Sequence, residues 1–175
     1  MQIFSNNTIA WPGLPYNNSS PSSLPKERVA AAAAALGMDP SVENRVDTTA
    51  EEQRAEAVAR AFVDHYYNLF DTSRPSLAAL YDPSSMLSFE GQRVRGAEEV
   101  ARRLGALPFD RCRHHVSTVD CQPSPAAGGI LVFVSGCLEL PGEEHQLKFS
   151  QMFQLIPTPQ GSFFVQNDIF RLIYG

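Results

Sequence analysis

The amino-acid sequence predicts an α+β fold in which three helices lie on one face of a curved antiparallel sheet. Two observations support this prediction. Apolar side chains recur every three or four positions in three stretches before residue 110, and strand-like apolar runs dominate after it. The C-terminal residues 147–174 read as two long strands joined by a proline- and glycine-containing turn at 157–161. Every upstream element then has to pack against this hairpin.

Three helices and a short hairpin are predicted upstream of the long strands. A capping box at residues 49–52 starts a first helix, whose apolar face extends to Phe70. Pro75 suits the first turn of a short second helix. A small hairpin is centred on Gly91, and a third helix covers residues 97–107. Residues 112–121 and 130–140 then supply two further strands before the C-terminal hairpin.

Both faces of the C-terminal hairpin carry apolar side chains, whereas an antiparallel sheet in a monomer usually has one polar face. The first strand places Phe149, Phe153 and Leu155 opposite Met152 and Ile156. The second strand places Phe163, Val165, Ile169 and Ile173 opposite Phe164, Phe170, Leu172 and Tyr174. The helices can cover only one face, so we expect a second copy of the chain to cover the other.

Residues 1–48 differ in composition from the rest of the chain, because they are rich in asparagine, serine and proline. A run of alanines at residues 30–35 has no apolar stripe to bury. We therefore expect residues 1–48 to be a disordered extension and linker, and residues 49–175 to form one domain.

Charge and cysteine content limit the possible partners. A net charge of −5 disfavours a general attraction to nucleic-acid phosphates and suits a basic protein partner better. Cys112, Cys121 and Cys137 show no C-x-x-C spacing, so we expect reduced thiols. No apolar run reaches the roughly 20 residues of a membrane span. The N-terminus lacks the pattern of a secretory signal, and no phosphate loop or metal-ligand spacing predicts a cofactor.

Seven motifs, in order over most of residues 49–175, resemble the nuclear transport factor 2 family. They are FVDHYY with FD (residues 62–71), FEGQ (89–92), LPF (107–109), HVSTVDCQP (115–123), FSQMF (149–153), PTPQGSF (157–163) and NDIFRL (167–172). Each motif alone is weak, but seven in order are specific. The GEEH segment at residues 142–145 is most similar to plant members of the family.

The resemblance implies a cone-shaped fold, a homodimer and a role in transport rather than catalysis. It implies that the chain carries the GDP-bound form of the small GTPase Ran and contacts phenylalanine-glycine repeats of nucleoporins, in the cytoplasm, in the nucleus and at nuclear pores of the envelope. In the family an aromatic side chain of Ran enters an apolar cavity with an acidic rim. By position, the cavity residues are Phe89, Leu107, Cys112, Leu147 and Phe170. The rim acids are Glu90, Glu143 and Glu144, and the dimer contacts are Met152 and Ile169.

The sequence departs from the family pattern in two places. Animal members carry a tryptophan early in the first helix that contacts the nucleoporin repeats, and Ala55 stands there in this chain. The N-terminal extension has no counterpart in the family pattern, and residues 38–40 look like the usual plant start. We expect residues 1–37 to be dispensable for Ran binding and for dimerisation.

Other interpretations of the same residues stay open. Phe89 alone would read as core and Glu90 as a solvated strand end. His114 and His115 point to opposite faces of a strand, so they cannot share a metal, and one buried histidine is expected. Arg102 and Arg103 read as the solvated face of the third helix.

Two other functions are compatible with the same fold. An acid–base enzyme, such as a dehydratase or isomerase, would use Asp168, His114 or Tyr81 in the cavity. A dimerising scaffold would normally bring a second module, and the sequence shows none.

Overall fold

A computed structural model describes residues 49–124, 128–143 and 145–174. Predictions that concern residues 1–48 lie outside this described part. The elements, in chain order, are helix α1 (Ala50–Thr72), a 3-10 helix (Arg74–Leu80), strands β1 (Tyr81–Phe89) and β2 (Gln92–Arg95), helix α2 (Ala97–Gly105), and strands β3 (Arg113–Ser124), β4 (Gly129–Glu139), β5 (Leu147–Pro157) and β6 (Phe163–Ile173). None of the helices in the described residues is long and apolar enough to span a membrane.

Helix α1 begins with the predicted capping box. The Thr49 side chain accepts a hydrogen bond from the backbone amide of Glu52 at 3.3 Å, and the Glu52 carboxylate accepts from the Thr49 amide at 2.6 Å. The helix packs on the sheet through aromatic contacts. The Phe153 ring of β5 meets the rings of Phe62 and Tyr66 in edge-to-face geometry, with centroids 4.9 and 4.7 Å apart. The predicted helical face is therefore the face that lies on the sheet.

The six strands form one sheet in the order β2-β1-β6-β5-β4-β3. The α+β class is confirmed, but the antiparallel prediction is wrong for one pair, because β1 and β6 run parallel. The remaining pairs are antiparallel. Alternation of apolar residues gives the face of a strand and not the direction of its neighbour, so the sequence did not reveal this mixed pairing.

An irregularity in β6 also changes which side chains share a face. Val165 pairs with Leu155 while Asn167 pairs with Gln154, so Gln166 is an extra residue on β6. Val165 therefore lies on the buried face together with Phe170, although simple alternation grouped it with Ile169. The faces predicted for β5 are confirmed, because its Phe149 and Phe153 are fully buried.

The sheet face away from the helices, which we call the open face, carries exposed apolar side chains. Its members are Leu131, Phe133, Met152, Ile169 and Ile173. Three of them form a row across β4, β5 and β6, because Phe133 pairs with Met152 and Met152 with Ile169. Phe133 keeps 47% of its surface exposed and Ile169 keeps 44%. An exposed row of this kind marks an interaction surface.

A buried polar network joins α1 to the centre of the sheet. The Asp168 carboxylate, 1% exposed, accepts hydrogen bonds from Tyr81 Oη at 2.7 Å, Tyr66 Oη at 3.2 Å and Gln151 Nε2 at 2.8 Å. Gln151 in turn accepts from Tyr67 Oη at 2.9 Å. Burial raises the pKa of Asp168 to about 6, although the three donors oppose the rise. Burial also raises the pKa values of the three tyrosines well above their ordinary value.

Gly136 in β4 supplies a test of how tightly the sheet is packed. A Cβ atom at this position would overlap the backbone carbonyl oxygen of His115 and would lie 3.0 Å from Cε1 of Phe149. We expect Gly136→Ala to lower the free energy of unfolding by about 1–3 kcal/mol or more, since neither neighbour can move freely. Gly105→Ala is the control, because nothing lies within 4 Å of a Cβ at that helix end. Urea unfolding of the wild type and both variants at the same protein concentration measures these free energies. If Gly136→Ala were as stable as Gly105→Ala, the close packing at Gly136 would be contradicted.

The buried Asp168 predicts a specific pH dependence. Its folded-state pKa of about 6 lies above the ordinary value of 3.8, so its contribution to stability is complete below pH 3.8 and is lost as the pH rises through 6. Relative to Asp168→Asn, the wild type should lose about 2 kcal/mol of unfolding free energy between pH 4 and pH 7. Urea unfolding across this range measures the difference. The asparagine amide can change stability by a constant amount, but this amount is the same at every pH and does not affect the comparison. A difference in unfolding free energy that does not change with pH would contradict the prediction.

Candidate partner-binding site

The five predicted cavity residues, which we call the mouth, belong to one apolar cluster. They are Phe89, Leu107, Cys112, Leu147 and Phe170. The rings of Phe89 and Phe170 are stacked with centroids 4.5 Å apart and an interplanar angle of 2°, and the ring of Phe149 continues the stack 5.7 Å from Phe170. Phe89, Leu107 and Cys112 retain 8–9% exposure, which places them at the outer edge of the core. Open grooves of about 320, 500 and 410 Å³ lie elsewhere on the surface.

Glu90 stands at the edge of the mouth in a constrained backbone conformation. Glu90 and Gly91 form a two-residue turn between β1 and β2, with φ of 51° and 82°. Both values are positive, as in the turns favoured for tight hairpins, and glutamate is an unusual residue in the first of these positions. The Glu90 amide donates to the Phe170 carbonyl oxygen at 3.1 Å, and its carboxylate accepts from the Leu172 amide at 2.5 Å. The carboxylate is therefore held at one place beside Phe170.

The second pair of predicted rim acids is only partly described. Glu143 is exposed in the turn between β4 and β5, where its amide donates to the Leu140 carbonyl oxygen at 3.2 Å. Gly142 has φ of 87°, which favours glycine in this turn. Glu144 lies outside the described residues. The roles assigned to both glutamates stay predictions.

Arg74 organises the segment that carries Leu107 and Cys112 in the mouth. Its guanidinium donates to the carbonyl oxygens of Phe109 at 3.0 Å and Leu104 at 3.5 Å. It also lies over the rings of Phe70 at 5.1 Å and Phe109 at 4.9 Å. One cation thus connects the 3-10 helix, the end of α1 and the loop after α2. In the sequence Arg74 simply precedes a proline, and no local pattern indicated this role.

The interpretation of Arg102 and Arg103 as one solvated helix face is wrong for Arg103. The side chain of Arg102 is 74% exposed and pairs with Glu99 on the same helix. The Arg103 guanidinium instead lies 5.3 Å from the centre of the Phe89 ring, and its Nε is buried with no hydrogen-bond partner among the described residues. Neighbouring residues on a helix point about 100° apart, so a paired motif does not share one environment.

Asp71 and His114 cluster with the mouth residue Cys112, and their potential metal-ligand atoms lie within 4.8 Å of one another. His114 is fully buried, as predicted for one histidine of the pair, and its Nδ1 lies 2.6 Å from Asp71 Oδ1. Two ligands of a tetrahedral zinc would lie roughly 3.3 Å apart. Burial raises the pKa of Cys112 to about 12, so in the absence of a metal ion its thiol is neutral near pH 7. The cluster is best described as a hydrogen-bonded lock between α1 and β3.

The electrostatics of this lock are set by the histidine. Partial burial would raise the pKa of Asp71, but hydrogen bonds from the His114 ring and backbone outweigh it and hold that pKa below its ordinary value. The His114 ring also contacts the rings of Tyr67, Phe70 and Phe149, with centroids 4.7, 4.8 and 5.2 Å apart. His115 points to the opposite face, where Nε2 lies 3.0 Å from a Glu139 oxygen.

The three residues considered for catalysis do not form one site. Tyr81 and Asp168 are hydrogen-bonded to each other, but His114 is bonded to Asp71 instead. Both oxygens of the Asp168 carboxylate already accept hydrogen bonds from protein donors, and only 1% of the residue is exposed. A general acid or base has to reach its substrate. The network therefore joins α1 to the sheet instead of facing a substrate.

The chain matches the nuclear transport factor 2 (NTF2) domain model over residues 58–172. It is 64% identical over 120 residues to nuclear transport factor 2B of Arabidopsis thaliana, covering 69% of this chain and 95% of the relative. The solved nuclear transport factor 2 of Cryptosporidium parvum is 40% identical, with a TM-score of 0.65 over 69% of this chain and 95% of that one. A putative scytalone dehydratase from Novosphingobium aromaticivorans, 15% identical, has a TM-score of 0.61 over 73% of this chain and 89% of its own, which shows a shared fold alone.

The order of helices and strands, the motifs along them and these similarities agree over the same residues. The chain belongs to the nuclear transport factor 2 family.

Proposed function

We propose that this chain is a nuclear import carrier for the GDP-bound form of the small GTPase Ran, that it acts as a homodimer, and that it contacts phenylalanine-glycine repeats of nucleoporins. Family membership supports a role in nucleocytoplasmic transport. Such a carrier works in the cytoplasm, in the nucleus and at the pores of the nuclear envelope. The observation that carries the proposal is the fixed carboxylate of Glu90 beside the aromatic stack of Phe89 and Phe170.

The mouth and its acid suit a partner that presents an aromatic ring near basic side chains. Burying one aromatic side chain contributes roughly 2–3 kcal/mol by area. This free energy alone is too small to select one nucleotide state of a partner. Charge pairs in a desolvated interface add several kcal/mol and fix the orientation of the bound partner. Glu90 is suited to that task because two hydrogen bonds already hold it in place. The conformational entropy lost when the partner binds is therefore small at this residue.

The open face is the proposed dimer interface. Met152 and Ile169, the predicted contact residues, are neighbours on β5 and β6, and Phe133 extends the same row on β4. An isologous dimer would bury this row against its own copy, which removes the exposed apolar surface without another protein. Among the described residues, this face is the part of the sheet that the helices leave uncovered.

The nucleoporin contact is proposed for an open groove at the start of α1. The groove has a volume of about 500 Å³, and Ala55, Ile130, Pro157 and Phe163 are among its apolar lining residues. Ala55 is 3% exposed and small, so the groove is left free where animal members of the family place a tryptophan. Phenylalanine rings of the repeats fit such an apolar recess.

The enzyme alternative is not favoured by the site geometry. The described part of the chain holds a possible acid in Asp168, but tyrosine and glutamine donors enclose it. The resemblance to a dehydratase structure concerns the fold, and a fold does not determine chemistry.

The first test of the proposal concerns the dimer. Ile169→Glu places a charge in the centre of the proposed interface, so we expect a folded monomer, because an unpaired buried charge is costly. Light scattering after gel filtration measures the mass. Ala61→Glu, on the exposed surface of α1, is the control and should remain dimeric. A dimeric Ile169→Glu protein would contradict the proposed interface.

The second test concerns Glu90 and Ran. We expect Glu90→Lys to abolish capture of GDP-loaded Ran in a pull-down while the dimer survives, because it reverses the charge that meets basic side chains. Glu90→Gln keeps an acceptor for the Leu172 amide and removes only the charge, so it separates folding from recognition. It should weaken binding by about tenfold. Asp64→Lys, an exposed charge reversal on α1, is the control and should bind normally.

Ran loaded with a GTP analogue completes this experiment, since the proposed carrier should not capture it. Wild-type levels of binding by Glu90→Lys would show that the carboxylate at the mouth does not contact Ran.

A further inference from the structure

Arg103 is a cation in an unexpected position at the mouth. The proposal for Ran places an acidic rim there, yet the Arg103 guanidinium lies over the outer face of the aromatic stack, 5.3 Å from the Phe89 ring centre. Among the described residues, it has no carboxylate within 4.0 Å, unlike Arg102 and Arg60, which pair with Glu99 and Glu56. A basic partner would be repelled by an unpaired cation at this position.

The hydrogen bonding of Arg103 is also incomplete. A guanidinium has five N–H donors in a rigid fork, and the Nε donor of Arg103 is buried without an acceptor within the described residues. The Nε of Arg74 is buried without an acceptor in the same way, and neither buried Nε can be reached by a partner. Only the terminal nitrogens of the Arg103 fork, which are not buried, can donate to one. The stacking on Phe89 holds the plane of the fork in position, because a guanidinium lies favourably on an aromatic face.

We propose that Arg103 is a partner-contact residue that selects an aromatic side chain accompanied by an acceptor oxygen. When the partner's ring enters the mouth, an oxygen next to that ring accepts a hydrogen bond from the Arg103 fork. The oxygen belongs to a carboxylate or to a main-chain carbonyl of the partner. This inference rests on the proposed function and adds a requirement to it: basic side chains alone do not suffice for recognition.

This requirement gives the mouth two opposite charges with different tasks. Glu90 attracts a basic partner, whereas Arg103 opposes a basic or apolar partner that brings no acceptor. A protein with an exposed aromatic ring and only basic neighbours would meet an unpaired cation and would bind weakly. Selection of this kind uses repulsion of wrong partners together with attraction of the right one.

The test compares the affinity of GDP-loaded Ran for the full-length wild type, Arg103→Met, Arg103→Lys and Arg102→Met by titration calorimetry. Methionine retains an apolar cover on Phe89 and removes every donor, so we expect binding to weaken by about tenfold or more. Lysine keeps the charge without the fork, and the loss should be smaller. Arg102→Met removes the adjacent exposed arginine and should change affinity by less than about twofold.

Each outcome distinguishes the inference from the proposed function. A wild type that does not bind Ran overturns both. A wild type that binds as tightly as, or more weakly than, Arg103→Met overturns the inference alone, because Arg103 would then be a cover that the partner displaces. If Arg103→Met does not fold, the Arg103→Lys variant is used instead. An affinity of Arg103→Lys for Ran equal to that of the wild type then overturns the inference. A wild-type advantage that shrinks with added salt identifies a carboxylate acceptor, and one independent of salt identifies a carbonyl.

Discussion

Three consecutive residues of β6 connect the parts of this protein, because side chains on a strand alternate between the two faces of a sheet. Asp168 and Phe170 point toward the helices, where the first accepts three hydrogen bonds from the buried network and the second joins the aromatic stack of the mouth. Ile169 points to the open face. A shift of one residue in register would exchange these faces and would put an isoleucine in the network and a carboxylate on the proposed interface. The position of β6 in the sheet is therefore the constraint on which the core, the mouth and the open face all depend.

Several contacts hold this register. Gln151 on β5 donates to Asp168, and Tyr66 and Tyr81 donate from outside the β5–β6 hairpin, so a slipped strand would leave buried donors without acceptors. The extra residue Gln166 shifts the alternation of side chains by one position within β6. Both Val165 and Phe170 can therefore face the helices. The backbone of β6 also carries the bonds to Glu90, so the acid at the mouth is positioned by the same strand.

The sequence was sufficient for the element order and for the faces of most strands, because periodicity and caps are local signals. The capping box at Thr49, the turn at Gly91 and the alternation along β5 all appear as predicted. The parallel pairing of β1 with β6 was not predictable from alternation, and a one-residue bulge cannot be seen in a run of apolar residues. Family resemblance supplied the candidate site, since nothing in the local sequence distinguishes Phe89 from an ordinary core residue.

The residues that sequence analysis missed are those whose role depends on distant neighbours. Arg74 follows the end of α1 and precedes a proline, yet its contacts lie 30 and 35 positions away at Leu104 and Phe109. Arg103 and Arg102 are adjacent in the sequence, but one lies on an aromatic ring and the other on a solvated helix surface. Their difference comes from α2 packing by one edge against β1, which no charge pattern expresses.

The same fold serves proteins with different chemistry, and the interior of this chain explains why it is better suited to recognition. An acid–base enzyme needs a carboxyl group that is both perturbed in pKa and open to a substrate. Asp168 meets the first condition, with a pKa raised to about 6 by burial, but its hydrogen-bond donors close the space around it. Polar groups that an enzyme would direct at a substrate are directed here at each other. Arg103, by contrast, lies over the Phe89 ring of the mouth with no carboxylate partner among the described residues, at the place where we propose that another protein binds.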